Sequence, residues 1–377
     1  APSRGLGDVY KRQDNIDNAF DKYFEEAKID KPRAKRMCGY TTWYNYYTSV
    51  TEEIVERDLE AIAKLGSKID IFQVDDGYER TVGDWLYHDE KKFPSGMKLI
   101  ADNIHKNDML AGLWLAPFAA TPKSYIYNKH KDWFVKNKNG KIPFASHNWG
   151  GFYALDIYNN EVRQYLKEVF DTVLNVWGYD MVKLDFLYAC CIIPFNGKSR
   201  GEIMCDAMDL IRELCGDKLI LGCGVPLAPA FGKVDFCRIG ADMALSWGKK
   251  PFSREDVSTK HALLNTIFRR ELDGRAFLND PDVFLLRDNN IKMSFEQRKL
   301  IAETASLFGN LLFVSDDVST YNSNQKDCFI NVTTRNKADI NYVNMDSDGD
   351  ISIKYTLDGE KKGYCFNINS GDKKVLI

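Results

Sequence analysis

The order of strand-like and helix-like segments is the feature that most constrains the fold of this chain. Between about residues 37 and 318, short β-rich runs alternate with helical patterns. Several of these runs are almost continuously apolar, as expected of parallel strands that are buried on both faces. The eight predicted strands are Met37–Trp43, Ile69–Asp75, Leu110–Ala116, Asp180–Asp185, Lys218–Cys223, Val234–Gly240, Ala276–Asn279 and Asn310–Ser315.

Helical patterns with recognisable ends separate these strands. Thr51 is placed to cap one helix, Gly178 ends a second, and Ser294 with Gln297 predicts a capping box at the start of a third. Weaker helical patterns fall near 96–107, 201–215 and 255–273. Eight strand–helix alternations predict an α/β fold of the (β/α)₈ TIM-barrel type. The strand count disfavours a doubly wound sheet.

The alternation of strands and helices does not extend to either end of the chain. We expect an N-terminal tail over 1–36, a catalytic barrel over 37–318 and a small antiparallel β domain over 319–377. The β domain is predicted from two β-rich runs, Ile351–Thr356 and Gly363–Ile368, which lie between turn-rich clusters. The first 13 residues resemble translated adaptor sequence, so the tail is expected to be partly non-native and the natural protein to begin further upstream.

Composition excludes several functional classes. The 377 residues carry 51 Lys and Arg against 54 Asp and Glu, a balance that argues against nucleic acid or a membrane surface as the main partner. No apolar run approaches the roughly 18 residues that span a bilayer. The nine cysteines form no C-x-x-C pair and no two of the five histidines lie at metal-ligand spacing, so we expect no bound metal and a reducing, cytoplasmic location.

Acidic residues follow five of the eight predicted strands, at the end where barrel enzymes place their active sites. These residues are Asp75, Asp76, Asp185, Asp242, Asp280, Asp316 and Asp317. Lys183 and Asp185 are two residues apart and are therefore predicted on one face, with Leu184 and Phe186 on the other. Arg238 and Asp242 are four residues apart, an even spacing that again predicts both side chains on one face. A cation beside a carboxylate keeps it ionised.

Two carboxylates in different surroundings can take separated pKa values, and glycoside hydrolysis uses such a pair as nucleophile and proton donor. Two other classes of function stay open on the residues alone. A Mg²⁺-dependent lyase or racemase would use several strand-end acids to hold the cation. A sugar-binding barrel without activity would keep the aromatic pocket. A Schiff-base aldolase acting through Lys183 is disfavoured, because Asp185 would keep the amine protonated.

Seven strings in a fixed order connect the chain with a known family. They are Phe72–Tyr78, Gly83–Trp85, Phe93–Met97, Gly112–Pro117, Lys183–Tyr188, Arg238–Asp242 and Leu278–Asp282. On these strings, residues 37–318 resemble the catalytic barrel of α-galactosidases of glycoside hydrolase family 36, in the melibiase clan. The chain departs from that pattern at Leu184, where many members have Trp, and at 224–226. On this resemblance we also expect the chain to be without the large N-terminal β domain of full-length members.

The resemblance implies a retaining, exo-acting α-galactosidase that removes terminal α-D-galactosyl residues from oligosaccharides without a cofactor. Asp185 is then the nucleophile and Asp242 the general acid/base. The residues implied in substrate binding are Asp75, Asp76, Lys183, Arg238, Cys223, Trp43 and Trp114. A related α-glycosidase, an α-N-acetylgalactosaminidase and a transglycosylase are the alternatives within the same chemistry. A homo-oligomer of the full-length protein also stays open.

Overall fold

The computed structural model describes residues 16–248 and 257–376. Its main body is a sheet of parallel strands that follow one another in sequence order. Eight of them correspond to the eight predicted runs; seven lie wholly within these runs, and the seventh strand extends one residue beyond Asn279. They are β1 (Met37–Thr41), β2 (Ile71–Val74), β3 (Leu110–Leu115), β4 (Met181–Leu184), β5 (Leu219–Gly222), β6 (Phe236–Arg238), β7 (Leu278–Asp280) and β8 (Leu311–Val314).

The sheet closes through a ninth short strand, Val283–Phe284, which lies just beyond β7 in the chain. It pairs in parallel with β8, and β8 pairs in turn with β1. The backbone N–H of Asn310 also donates to the carbonyl of Asn279 at 2.9 Å, which links the start of β8 to β7. The two edges of the sheet therefore meet, and the predicted α/β barrel architecture is found.

Ten α-helices are described, most of them on the outside of the barrel. They are α1 (Ile16–Glu26), α2 (Trp43–Tyr46), α3 (Glu52–Ala63), α4 (Met97–His105), α5 (Tyr125–Lys129), α6 (Asn160–Asp171), α7 (Arg200–Cys215), α8 (Thr259–Phe268), α9 (Phe295–Phe308) and α10 (Ser323–Thr334). The predicted caps are present: Thr51 accepts from the Ile54 amide, and Ser294 with Gln297 forms the capping box of α9. The predicted start of α8 at 255 lies outside the described residues.

One predicted alternation is wrong. Between β5 and β6 the fully described residues 223–235 contain only a single 3₁₀ turn, Ala228–Ala230, and no longer helix. Pro226 and Pro229 explain the difference, because each removes a backbone donor and restricts the preceding residue. This side of the barrel mouth is consequently covered by a loop.

The C-terminal sheet begins later than the sequence predicts. Its four antiparallel strands are β9 (Asp339–Met345), β10 (Asp350–Leu357), β11 (Glu360–Asn367) and β12 (Lys373–Val375). The expected β domain starts at 319, but helix α10 lies within that range. Asn322 and Gln325 form a capping box that begins this helix. Ser306 on α9 donates to the carbonyl of Val332, so α10 packs on the barrel as the helix that follows β8.

A long excursion between β3 and β4 partly covers the barrel mouth. It contains a three-stranded antiparallel sheet formed by Ala119–Ala120, Phe144–Ser146 and Phe152–Ala154. A 3₁₀ turn, Asn148–Gly150, connects the last two strands and holds Trp149 in a left-handed conformation with φ of 54°. This conformation directs the indole of Trp149 towards the carboxyl ends of the barrel strands, where it contacts Asp76.

Candidate functional site

A buried ion pair lies at the centre of the barrel mouth. Lys183 on β4 donates to Oδ2 of Asp75, at the end of β2, over 2.8 Å. Gln73 donates to the same oxygen at 2.7 Å and Thr41 at 3.3 Å. Burial by itself lowers the pKa of Lys183, but the charges of Asp75 and Asp185 raise it above its ordinary value. Lys183 is therefore a permanent cation next to the candidate nucleophile.

Asp185 follows β4 directly and is partly exposed at the mouth. The backbone N–H of Phe186 donates to its Oδ1 at 2.7 Å, and the indole of Trp114 donates to its Oδ2 at 3.3 Å. Both donors fix the orientation of the Asp185 carboxyl group. Asp185 thus presents an oriented carboxylate to the space above the barrel.

The predicted direction of Phe186 is wrong. Strand periodicity places it on the outer face, but β4 ends at Leu184 and Phe186 has φ of 52°. The chain turns at this point, and the ring of Phe186 packs on Trp149 with centroids 4.7 Å apart. Phe186 therefore belongs to the aromatic wall of the mouth. Leu184, which lies between Lys183 and Asp185 in sequence, is fully buried. Its side chain lies on the opposite face of the strand from theirs, as predicted.

Asp76 forms a second polar cluster at the mouth with Trp149 and Glu79. The sequence indicates Asp76 but neither of these partners. Trp149 donates to its Oδ2 at 2.8 Å, and Glu79 forms a further hydrogen bond with it. Burial, followed by the charge of Asp76, raises the pKa of Glu79 well above its ordinary value. The raised pKa favours the acid form of Glu79, whose hydroxyl can donate to Asp76. Neither Glu79 nor Trp149 was indicated by the strand pattern, because both lie in turns.

The second candidate carboxylate is paired with a buried arginine. Arg238, the last residue of β6, donates from Nη2 to Oδ1 of Asp242 at 2.8 Å. The Asp242 side chain is 48% exposed, whereas that of Arg238 is 5% exposed. Burial raises the pKa of Asp242, but the charges of Arg238 and Lys183 outweigh it and lower the pKa below its ordinary value. The ionised form of Asp242 is favoured in the free site.

Two aspartates, one that ends β7 and one two residues beyond it, complete the polar layer inside the mouth. Asp282 forms an ion pair with Arg238 at 3.1 Å, and Tyr44 donates to the same Asp282 oxygen at 2.5 Å. Asp280 accepts from the Asp282 amide at 2.8 Å, and burial raises its pKa to about 6. Sequence reasoning assigns no specific role to either residue. Asp280 is indicated as a strand-end acid, and both residues lie in the string Leu278–Asp282.

The three remaining predicted pocket residues also lie at the mouth. Trp114 is buried, with its indole on Asp185. Trp43 is half-buried on α2 and lines a narrow cavity inside the barrel together with Lys183 and Arg238. Cys223 lies 3.9 Å from Nη1 of Arg238, and burial raises the pKa of its thiol well above the ordinary value. Cys223 is thus a neutral, small side chain within electrostatic reach of both Asp185 and Asp242.

The strand-end aspartates after β8 have structural contacts. Asp316 is fully buried and accepts from the amides of Leu286 and Arg287 and from the hydroxyl of Tyr321. Asp317 accepts from the Ser319 amide and caps the turn that follows. Both carboxylates therefore hold loops and do not face Asp185 or Asp242.

Two larger cavities adjoin the barrel. One of about 520 Å³ lies beside the mouth, between the β5–β6 loop and α8, and is lined by Val225, Pro226 and Asn265 among others. The other, about 590 Å³, lies at the opposite end of the barrel near Asp273 and Phe308, which precede β7 and β8. Only the first is close to the candidate carboxylates, through Arg238 in its wall.

Within 16–248 and 257–376, no group of three or more His, Cys, Asp or Glu side chains is arranged to hold a metal ion. All nine cysteines fall in these ranges, and all are free thiols. The same residues include no helix that is both long and apolar enough to cross a bilayer.

Comparison with known proteins identifies the family. A family model described as Melibiase matches residues 14–198. The structure is similar to that of TtGalA, an α-galactosidase from Thermus thermophilus solved in complex with stachyose, at 30% identity and a TM-score of 0.76. That match covers 84% of this chain and 68% of the other. The chain belongs to the melibiase family. Its relatives include α-galactosidases, which are glycoside hydrolases.

Two further comparisons show what share of this melibiase chain, and of each similar protein, is matched. A second structure of TtGalA, in complex with p-nitrophenyl α-D-galactopyranoside, has a TM-score of 0.79 at 29% identity and covers 92% of this chain and 69% of the other. The curated α-galactosidase Mel36A from Lactobacillus acidophilus is 29% identical over 150 residues, which are 38% of this chain and 20% of the relative. The matched segment thus spans only a fifth of that relative's length.

Proposed function

We propose that this chain is the catalytic barrel of a retaining, exo-acting α-galactosidase of glycoside hydrolase family 36. The observation that carries the proposal is the pair of carboxylates at one barrel mouth, Asp185 and Asp242. The buried cation Lys183 acts on both of them, and Cys223 lies within electrostatic reach of both. The seven family strings supply the assignment to family 36.

In the first step, the Asp185 carboxylate attacks the anomeric carbon while the bond to the leaving oxygen breaks. Asp242 in its acid form protonates that oxygen. Trp114 and the Phe186 amide hold the Asp185 carboxylate in one orientation, which lowers the entropic cost of the attack. For this route the two carboxyl groups should lie about 5–5.5 Å apart.

In the second step, water attacks the galactosyl–enzyme ester and Asp242 accepts its proton as general base. The ionised form of Asp242 is the one that the Arg238 and Lys183 charges favour. The product is galactose with the same anomeric configuration as the substrate, because the carbon is inverted twice.

Asp75 and Asp76 are the groups we assign to the galactose hydroxyls, with Lys183 and Arg238 as hydrogen-bond donors. Trp43, Trp114 and Cys223 supply an apolar wall on which the C–H face of a sugar can pack. The substrates of TtGalA in the solved complexes, an aryl α-galactoside and stachyose, support an α-galactosyl oligosaccharide as the substrate class.

The test is release of nitrophenol from p-nitrophenyl α-D-galactopyranoside by the purified chain and by Asp185→Ala. We expect turnover in the parent and a loss of about 10³-fold or more in the variant. Asp317→Ala is the matched control, since Asp317 also follows a barrel strand but only caps a turn. Equal activity in Asp185→Ala and the parent would refute the nucleophile assignment.

Azide separates the two carboxylate roles. In Asp185→Ala, azide replaces the nucleophile, forms a C–N bond as the aryloxide leaves, and should yield β-galactosyl azide. In Asp242→Ala, azide attacks the galactosyl–enzyme ester, frees the Asp185 carboxylate and should yield α-galactosyl azide. The opposite assignment predicts the reverse pattern of anomers, which NMR distinguishes.

The same experiments test the rival functions. Activity that survives a chelator would contradict the Mg²⁺-dependent lyase, for which the described residues offer no ligand cluster. A folded chain that binds galactose without turnover would favour the non-catalytic barrel. A panel of aryl α-glycosides, including the N-acetylgalactosaminide, would identify the preferred sugar.

A further inference from the structure

We propose that Asp282 is a positioning residue that sets the placement and protonation of Asp242. The proposal rests on the function proposed above, in which Asp242 is the general acid/base. Asp282 itself is 5% exposed and forms an ion pair with Arg238, which in turn pairs with Asp242. In this proposal it acts on the reaction through these neighbours.

A single oxygen of Asp282 makes three contacts. Its Oδ2 accepts from the hydroxyl of Tyr44 at 2.5 Å and from the backbone N–H of Met243 at 2.7 Å, and it lies 3.1 Å from Nη2 of Arg238. Met243 is the residue after Asp242, and Arg238 is the side-chain partner of Asp242. One carboxylate oxygen thus holds both the backbone and the counter-ion of Asp242.

The backbone at Asp282 is strained, which indicates that its position matters. Asp282 has φ of 79°, a conformation that costs about 1–2 kcal/mol for residues other than glycine. The carboxylate of Asp280 offsets this cost by accepting from the Asp282 amide at 2.8 Å.

Asp242 needs this support because it lies on a loop. Strand β6 ends at Arg238, and Asp242 follows four residues later with a half-exposed side chain. Within the described residues, the Asp242 side chain accepts one side-chain hydrogen bond, from Arg238. Arg238 also forms an ion pair with Asp282. Without Asp282, the positive charge of Arg238 would interact with Asp242 alone.

The electrostatic consequence has a definite sign. The described titratable and charged groups that act on Asp242 are Arg238, Lys183, Tyr44, Cys223 and Asp282. The charges of Arg238 and Lys183 lower the pKa of Asp242. Asp282 shares Nη2 of Arg238 with Asp242, and burial and the charge of Asp242 raise the pKa of Asp282. Because repulsion between like charges is mutual, the ionised form of Asp282 opposes the effect of the two cations on Asp242. Removing the negative charge of Asp282 should therefore lower the pKa of Asp242 further and deplete its acid form.

The first test is the Asp282→Asn variant, which keeps an oxygen to accept from Tyr44 and Met243 but has no charge. General-acid assistance matters most for a poor leaving group. We expect kcat/KM for an alkyl α-galactoside to fall about 10- to 100-fold, and that for the p-nitrophenyl substrate to change about threefold or less. The basic limb of the pH profile should also move to lower pH.

Asp316→Asn is the matched control. Asp316 is equally buried and has the same kinds of partner, namely two backbone amides, a tyrosine hydroxyl and an arginine, but it lies away from Asp242. A purely structural role for Asp282 would make the two variants alike, with equal losses on both substrates. That result would overturn the proposal.

Tyr44→Phe provides a second route if Asp282→Asn does not fold. It removes one donor from Asp282 while leaving the carboxylate, and should produce a smaller loss that is again selective for the alkyl substrate. Equal losses on both substrates would count against the proposal.

A measurement without substrate separates this proposal from the proposed function. The pKa of Asp242 can be followed by carboxyl ¹³C NMR in the free chain, with its signal assigned by loss in Asp242→Asn. The Asp282→Asn or Tyr44→Phe variant should shift that pKa even if the parent proves inactive on every galactoside. An unshifted Asp242 pKa would refute the positioning role of Asp282.

Discussion

Lys183 and Asp75 form a buried ion pair that joins the ends of β4 and β2, with Nζ 2.8 Å from Oδ2. Both side chains are at most 10% exposed, so the loss of either partner leaves an uncompensated buried charge. We expect Lys183→Met to lower the free energy of unfolding by about 3 kcal/mol or more. Urea denaturation of the purified chain measures this change.

The control for this prediction is the exposed pair Lys98–Asp102 on α4. Lys98→Met should cost less than about 1 kcal/mol, because solvent screens the pair. A similar loss of unfolding free energy in the two variants would mean that water screens the Lys183–Asp75 pair. The pair would then contribute little electrostatic stabilisation.

Asp280 predicts a specific pH dependence of stability. Burial raises its pKa to about 6 from an ordinary value near 3.8. Between these two values the folded state binds more protons than the unfolded state, so the contribution of Asp280 to stability falls as pH rises. In Asp280→Asn this loss is absent, and the variant should gain on the parent by about 2 kcal/mol between pH 4 and 6, out of about 3 kcal/mol over the whole titration.

Denaturation at several pH values tests this, with Asp280→Ala as the companion variant. The alanine variant also lacks the titration but loses the acceptor for the Asp282 amide. Its curve should run parallel to that of Asp280→Asn at lower stability. If the unfolding free energy of the parent changed with pH in parallel with that of both variants, Asp280 would not titrate in this range.

The sequence predicts the framework of the site well, because strand periodicity and barrel geometry decide it. A run of buried apolar residues identifies each strand, and its carboxyl end then identifies Asp75 and Asp185 as mouth residues. The two-residue period also places Lys183 beside Asp185 correctly. These inferences use only local pattern and one rule about where barrel strands point.

The parts that sequence reasoning misses depend on irregular backbone. Phe186, Trp149 and Asp282 all have positive φ without being glycine, so neither strand nor helix periodicity applies to them. The contact of Glu79 with Asp76 arises within a turn whose path no periodic pattern predicts. Long-range pairs such as Tyr44–Asp282 require the closed barrel, which brings β1 and β7 to the same mouth.

Trp149 is expected to act through Asp76. Trp149→Phe keeps an aromatic ring against Phe186 but removes the indole N–H that donates to Asp76 at 2.8 Å. A hydrogen bond to a charged acceptor contributes about 1.5–3 kcal/mol, so KM should rise roughly tenfold or more. Because Asp76 is assigned to sugar binding, kcat should change less than KM. Initial rates over a range of substrate concentrations separate the two constants.

Trp133→Phe is the control for Trp149. Its indole makes an equivalent hydrogen bond, to Glu161 at 2.7 Å, but this bond lies at the start of α6. The variant should keep wild-type kinetics even if its stability falls. A similar rise of KM in both variants would indicate that the excursion as a whole, and not the contact with Asp76, decides binding.

Gly224 is expected to tolerate no side chain, because it lies directly against the candidate nucleophile. A Cβ there would lie 2.9 Å from Oδ1 of Asp185 and 2.8 Å from the Phe186 nitrogen, the two atoms joined by a hydrogen bond. Gly224→Ala should therefore displace the Asp185 carboxylate and lower kcat by about tenfold or more, since misplacement of a reacting group by 1 Å can cost 100-fold. Gly197→Ala is the matched control: its φ of 74° imposes a similar backbone cost of about 1–2 kcal/mol, but nothing lies within 4 Å of the added methyl. Both variants should lose stability to a similar extent, and only Gly224→Ala should lose activity; equal activities would show that the β5–β6 loop can move away from Asp185.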